Sequence, residues 1–210
     1  MSEATLVKDT RFATPASDER VAAVAAALSA RGHEVFVVDN GAMAKAKVLE
    51  LIPEGAEVFT AQSATNRLIG LIDVIDESGN YDAVRLKIAT MDRATQAKEI
   101  RRLTATPDYV VGSVHAITES GQVVIASFGG SQLAPYVSGA GKVIWVVGTQ
   151  KIVKNLDEAF DRIEKHSLPL ESERLMKVFN IPSAINKLLI FNGERGGRTT
   201  VILIKEALGF

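Results

Sequence analysis

The carboxylate whose neighbours most invite a chemical role is Glu119, in the run HAITESG, preceded by Thr118 and followed at once by Ser120 and Gly121. An ionisable group held rigidly beside a ligand can act as nucleophile, general base or hydrogen-bond acceptor. The competing reading is a turn glutamate facing water, which is where most carboxylates lie. The run SFGGSQ, residues 127 to 132, sets Gly129, Gly130, Ser131 and Gln132 directly before a predicted short helix. Backbone amides there can approach an anion without side-chain obstruction. Equally, Gly129 and Gly130 can simply make a tight turn, with Ser131 as the helix cap. TAQSAT, residues 60 to 65, offers the hydroxyls of Ser63 and Thr65, and Lys151 follows GTQ at a predicted strand end. That lysine can contact an anion or be a solvated loop residue. His115 is one of three histidines, none of which pairs with a second at metal-ligand spacing, so it reads as packed and no metal site is expected.

The elements that must position these groups alternate along the chain. Ser17 to Arg31 has apolar residues at helical spacing, and EVFVVD (Glu34 to Asp39) is a continuous β-branched and aromatic run, expected to be a strand buried on both faces. A helix from Ala42 to Leu51, a strand from Glu57 to Thr60 and a helix from about Ser63 to Asp76 follow. Residues 92 to 103 form a capped helix, Tyr109 to Gly112 a strand, and Gln122 to Ser127 and Lys142 to Val147 two more, the last enclosing Trp145 as a core residue. Leu156 to His166 and Ser172 to Phe179 read as helices, and Lys187 to Asn192 and Thr199 to Lys205 as strands joined by GERGG. Ser78 to Thr90 is ambiguous between loop, lid and short strand. Strands separated by helices need crossover connections and so give a mainly parallel sheet covered on both sides, a three-layer α/β/α sandwich. The short link between the last two strands predicts an antiparallel C-terminal edge pair. In such a sheet ligands collect beyond the carboxyl ends of the strands, where TAQSAT, GSVHAITESG, SFGGSQ and VGTQK all fall.

Composition narrows the field further. The chain has 210 residues, enough for one core, and is read as a flexible segment 1–16 followed by a single domain, 17–210. Lysine plus arginine number 24 against 25 aspartate plus glutamate, so no basic field exists to gather nucleic acid or anionic lipid. The chain contains no cysteine, which excludes disulfides, cysteine nucleophiles, thiolate zinc and protein-held iron–sulfur clusters. No secretory signal or membrane helix is legible, and a cytoplasmic protein is expected. GxGxxG after the first strand, GxxxxGK[ST], GxSxG and HExxH are all missing, which removes the corresponding nucleotide, hydrolase and zincin readings. A homodimer is the commonest assembly for such a chain.

From Asp108 to Val153 the sequence DYVVGSVHAITESGQVVIASFGGSQLAPYVSGAGKVIWVVGTQKIV strongly resembles the LUD (lactate-utilisation) domain family, through GSxxAITExG, GSQ and VVGxxKIV. The ending Lys187 to Phe210 looks like the same family's C-terminus, and the likeness extends more weakly back through VFTAQSATNRLIGL. The resemblance implies a fold similar to sugar-phosphate isomerases, CoA transferases and formyltetrahydrofolate cyclo-ligase. It also implies a setting in bacterial oxidation of lactate to pyruvate beside iron–sulfur proteins, of which a cysteine-free chain would be the cluster-free component. TESG is similar to the glutamate-bearing loop of CoA transferases, which makes Glu119 the expected catalytic residue. Ser63 and Thr65 match a family loop that usually carries glycine just before them, where this chain has Ala61 and Gln62. The expected site therefore comprises Glu119 with Ser63, Thr65, Thr118, Gly129, Gly130, Ser131, Gln132 and Lys151 around a small-anion or phosphorylated or CoA-type ligand at the carboxyl edge of the strands, the cofactor being unspecified. A subunit that folds in this way but assists an iron–sulfur lactate-oxidising complex without catalysing is the alternative.

Overall fold

A computed structural model describes residues 8–210. Ser17 caps α1 (Asp18–Ala30) by accepting from the Arg20 amide, and Val21, Val24 and Leu28 bury the inner face of that helix. The strand β1 (Glu34–Val38) passes through the Asn40 cap into α2 (Gly41–Leu51). β2 (Glu57–Thr60) leads into α3 (Ala64–Leu68) and α4 (Leu71–Glu77), where the sequence predicts one continuous helix. Gly70 divides them with a left-handed φ of 63°, which interrupts the helical hydrogen-bond ladder. The ambiguous stretch before residue 90 becomes a two-residue strand, β3 (Asp82–Ala83), and α5 (Val84–Ala89). Then come α6 (Ala97–Ala105), β4 (Tyr109–Gly112), β5 (Ala116–Thr118), β6 (Val123–Ser127), β7 (Lys142–Gly148) and β8 (Ile152–Val153). α7 (Leu156–Arg162) continues through a π-type turn, Ile163–Ser167, into α8 (Leu168–Phe179), and β9 (Lys187–Phe191) and β10 (Thr199–Ile204) follow.

Six strands in the order β1-β10-β7-β4-β2-β3 form a sheet that is parallel throughout. Period-two alternation along its central strands explains why both faces are apolar. Val143, Trp145 and Val147 point to the side of α1, whereas Ile144 and Val146 point to the side of α2 and α4. Each such fully buried side chain contributes about 1.5–3 kcal/mol relative to exposure. A second sheet, β8-β5-β6-β9, shares the α1 side of the large sheet, and its own outer face is covered by Phe12, Ala159 and Ile163. The layered α/β architecture with a mainly parallel sheet is as expected, with one outer layer divided between a helix and this small sheet.

Three expectations need correcting. The last two strands do not pair with each other: β9 lies antiparallel to β6 in the small sheet, and β10 lies parallel between β1 and β7. The short link misleads because residues 192–198 can span up to about 24 Å when extended, enough to change sheets. Glu194 pins that crossing by accepting from Arg198 and Thr199. β1 is an edge strand with Glu34 and Val37 exposed, not a strand buried on both faces, since only β10 pairs with it. Of the segment expected to be loose, residues 1–7 lie outside the described residues, but Thr10–Ala13 forms a 3-10 turn with Phe12 buried, and the Asp9 amide donates to the Lys165 carbonyl at 2.8 Å. Among the described residues no helix is long and apolar enough to cross a membrane.

Candidate functional site

Parallel pairing puts the carboxyl ends of β10, β7, β4 and β2 along one edge of the large sheet, so the residues that follow each strand meet there. At that edge Lys151 is buried, 1% exposed. Its Nζ donates to Thr65 Oγ1 at 3.2 Å and to Ser113 Oγ at 3.1 Å. Thr65, fully buried at the second residue of α3, donates in turn to the Leu208 carbonyl at 3.0 Å. Gln150, next to the lysine, donates through Nε2 to the carbonyls of Leu208 and Gly209 at 3.0 and 2.9 Å.

A second buried cation stands behind the first. Arg162, at the end of α7, donates to the His115 carbonyl, to Ser167 Oγ at 2.9 Å and to the Gln150 carbonyl at 3.5 Å. Among the described residues neither Lys151 nor Arg162 forms an ion pair with a carboxylate; the carboxylate of Asp76 is taken up by Thr60 and Arg85, and that of Glu206 by the Gly41 amide. Burial without a counter-charge disfavours the protonated form. It holds Lys151 well below the ordinary lysine range, Arg162 adding to the effect, and brings Arg162 down to about 9. His115 is pushed down to about 3, first by loss of solvent around the ring and then by Lys151 and Arg162. Its Nδ1 accepts from the Ala126 amide at 3.1 Å, which assigns the proton of the neutral ring to Nε2.

Several buried polar atoms on the strand-end turn and on α3 and α7 have no partner among the described residues: both side-chain amide atoms of Asn66, Thr149 Oγ1, Gln150 Oε1 and Arg162 Nη2. Such orphans are rare in folded proteins and call for an explanation, of which a further bonding partner is one. The arrangement can therefore do one thing well. An oxyanion brought beside Lys151 would return the amine to its charged form and gain charge-assisted hydrogen bonds from it and from the neighbouring hydroxyl and amide donors.

The residues singled out in the sequence divide between two ends of the small sheet. Thr65 and Lys151 meet directly, and Ser63, buried beside them, caps α3 by accepting from the Asn66 amide at 3.2 Å. The pairing of Ala116 with Val124 sends β6 back toward Ser113, so the SFGGSQ turn leaves the small sheet at the same end. That turn is bonded within itself. Gly130 N–H donates to Ser127 Oγ at 2.8 Å, and the side chain of Gln132 accepts from Ser127 Oγ at 3.1 Å, while Gly129 and Ser131 are exposed.

Glu119 and Thr118 are not brought to this cluster. They lie in the β5–β6 turn, a strand length of about 17 Å from the SFGGSQ end. Glu119 is exposed and paired with Arg20 Nε at 2.6 Å, and Thr118 Oγ1 holds the turn by accepting from the Gln122 amide at 2.9 Å. The expected convergence of the TESG carboxylate and the glycine turn on one cavity does not occur, because β5 and β6 are antiparallel and their turn points away from the ligand edge. Ser113, Gln150, Asn66 and Arg162 were missed. Ser113 and Gln150 are strand-end residues adjacent to groups already considered. Arg162, in DEAFDRIEKH, carries no mark that separates it from a solvated helix residue.

The sequence model of the LUD domain matches residues 21–204. The chain belongs to the LUD domain family. Of solved structures, a DUF162 family protein from Deinococcus radiodurans is similar over 90% of this chain and 99% of its own, with a TM-score of 0.55 at 14% identity, which shows a shared fold over most of the chain. Ribose 5-phosphate isomerase from Plasmodium falciparum matches over 55% of this chain and 53% of its own (TM-score 0.34, 11% identity), and ribose 5-phosphate isomerase A from Neisseria gonorrhoeae over 66% and 65% (TM-score 0.33, 14% identity). Similarity that low carries no argument about the LUD domain's chemistry. No curated protein matches the sequence.

Proposed function

We propose that this LUD-domain chain serves organic-acid, specifically lactate, utilisation by binding a small oxyanion at the carboxyl edge of its parallel sheet, with Lys151, Thr65 and Ser113 as the contacts. The observation that carries the reading is a lysine that is 1% exposed, whose amine is bonded to two hydroxyls and, among the described residues, paired with no carboxylate. A chain selected for stability alone gains nothing from such a residue, since an apolar side chain of similar volume would fill the space without loss of hydration. The family setting supports lactate or pyruvate as the acid. The same family setting supports iron–sulfur partner proteins as the electron carriers, a role that this cysteine-free sequence would leave to them.

The test is thermal-shift and calorimetric titration of the purified chain with lactate, pyruvate, inorganic phosphate, sugar phosphates, CoA esters and folates. A ligand at 100 times its Kd should add about 2.7 kcal/mol of stability. At least one oxyanion is expected to do so, and Lys151→Met is expected to abolish the effect. Silence across the panel, with iron–sulfur proteins still co-purifying, would transfer the role to a non-catalytic subunit.

A further inference from the structure

The Lys151 cluster is roofed by the chain itself. After β10, Glu206 anchors the backbone by accepting from the Gly41 amide at 2.9 Å, and the chain then runs across the carboxyl edge. It fits there closely: a Cβ on Gly148 would lie 2.8 Å from both the Glu206 carbonyl oxygen and the Leu208 nitrogen, and one on Gly209, whose φ is +71°, would lie 2.4 Å from Thr65 Oγ1. Gln150 Nε2 offers its two hydrogens to two oxygens, those of Leu208 and Gly209, and Thr65 adds a third bond to the first of them. Two oxygens received by one planar amide and a hydroxyl, with an amine in contact with that hydroxyl, is the bonding a carboxylate or phosphate would receive.

On the outer side of Leu208 lies an open cleft of ≈ 420 Å³, bordered by Asn40, Gly41, Lys45, Leu68, Ile69 and Glu206. Leu208 thus borders this cleft while its carbonyl accepts from the buried donors Gln150 and Thr65. Peptide carbonyls are neutral, whereas an ionised oxygen in the same place forms bonds roughly twice as strong. The orphaned Gln150 Oε1, Thr149 Oγ1 and Asn66 amide show that the segment leaves part of the local bonding capacity unused.

Building on the oxyanion reading above, we propose that Ala207–Gly209 is a built-in occupant of the ligand site, its two carbonyl oxygens standing where the ligand's oxygens bind. The ligand enters from the cleft beside α2 by lifting this segment while Glu206 remains its anchor. Gln150 and Thr65 are on this account ligand-binding residues that the segment keeps bonded when no ligand is present. The fraction of molecules with the segment lifted then scales the apparent affinity.

The experiment reads the accessibility of Lys151 without needing a ligand. Native protein is treated briefly with a small amine-acylating reagent, and modification of Lys151 is compared by mass spectrometry with that of the exposed Lys177. Two variants are compared with the parent chain, one lacking residues 207–210 and one carrying Gly209→Ala, with hydrogen exchange of the Val143–Val147 amides as the measure of an intact core. Lys151 is expected to be acylated at least about tenfold faster in both variants while those amides stay protected, and millimolar lactate, pyruvate or phosphate should slow it again with about tenfold tighter affinity than in the parent. Unchanged Lys151 acylation in both variants, or acceleration accompanied by loss of core protection, would overturn the proposal. Faster acylation that no oxyanion slows would retain the segment as a cover but refute the oxyanion reading, so the two failures are distinguishable.

Discussion

The two ends of the β5–β6 hairpin carry opposite lessons about charge. At the turn, Glu119 sits in a motif that invites a catalytic reading, yet it meets Arg20 at the protein surface, with side chains 45% and 36% exposed. Such a pair contributes little, because water already solvates both partners. At the other end, Lys151 and Arg162 are buried with only neutral hydrogen-bond partners. An exposed carboxylate with its counter-ion keeps its charge at little cost; a buried amine without one would regain its charge only beside an anion.

That contrast can be broken by substitution. The largest effect is expected from Arg162→Met, which leaves the carbonyls of His115 and Gln150 and the hydroxyl of Ser167 without their donor. Urea unfolding should show a loss of about 2–3 kcal/mol, and a loss below about 0.5 kcal/mol would remove Arg162 from the account as a structural element. Thr65→Val deletes the hydroxyl that links Lys151 to the Leu208 carbonyl. Oxyanion affinity by calorimetry should fall about fivefold, equivalent to roughly 1 kcal/mol. The smallest effect belongs to Glu119→Gln: stability should change by less than about 0.5 kcal/mol and oxyanion affinity not at all. A large loss of binding in that variant would reinstate the turn as part of the site.

Much of the fold is legible because the central strands announce themselves. VIWVV and VILI are too continuous for a surface strand, and in the structure Val143–Val147 and Val201–Ile204 are buried on both faces. The small sheet is not legible, since β5 and β8 have three and two residues and show no period of their own. Its existence decides where Glu119 goes. A sequence shows a glutamate between two strands but not that the second strand folds back on the first in a separate sheet. Lys151 is legible as a strand-end cation, whereas its burial and its hydroxyl neighbours depend on the packing of α3 and α7, which linear spacing does not reveal. Arg162 is invisible because its neighbours Asp161 and Lys165 pair with each other on the solvent side of the same helical run.

The pH dependence of folding tests the buried amine directly. Lys151 has a folded pKa held well below its unfolded value by burial and by Arg162. The unfolded chain therefore binds more protons, and stability should rise with pH. Between about pH 7.5 and 8.5, above the ordinary histidine range and below the value of about 9 for Arg162, the lysine contributes most to this slope. Urea titrations of the parent chain should gain up to about 1.4 kcal/mol per pH unit across that window, whereas Lys151→Met should show a markedly shallower slope there and be at least as stable at pH 7. Equal slopes in the two proteins, with the variant the less stable, would contradict the central claim that an uncompensated amine lies at the heart of the site.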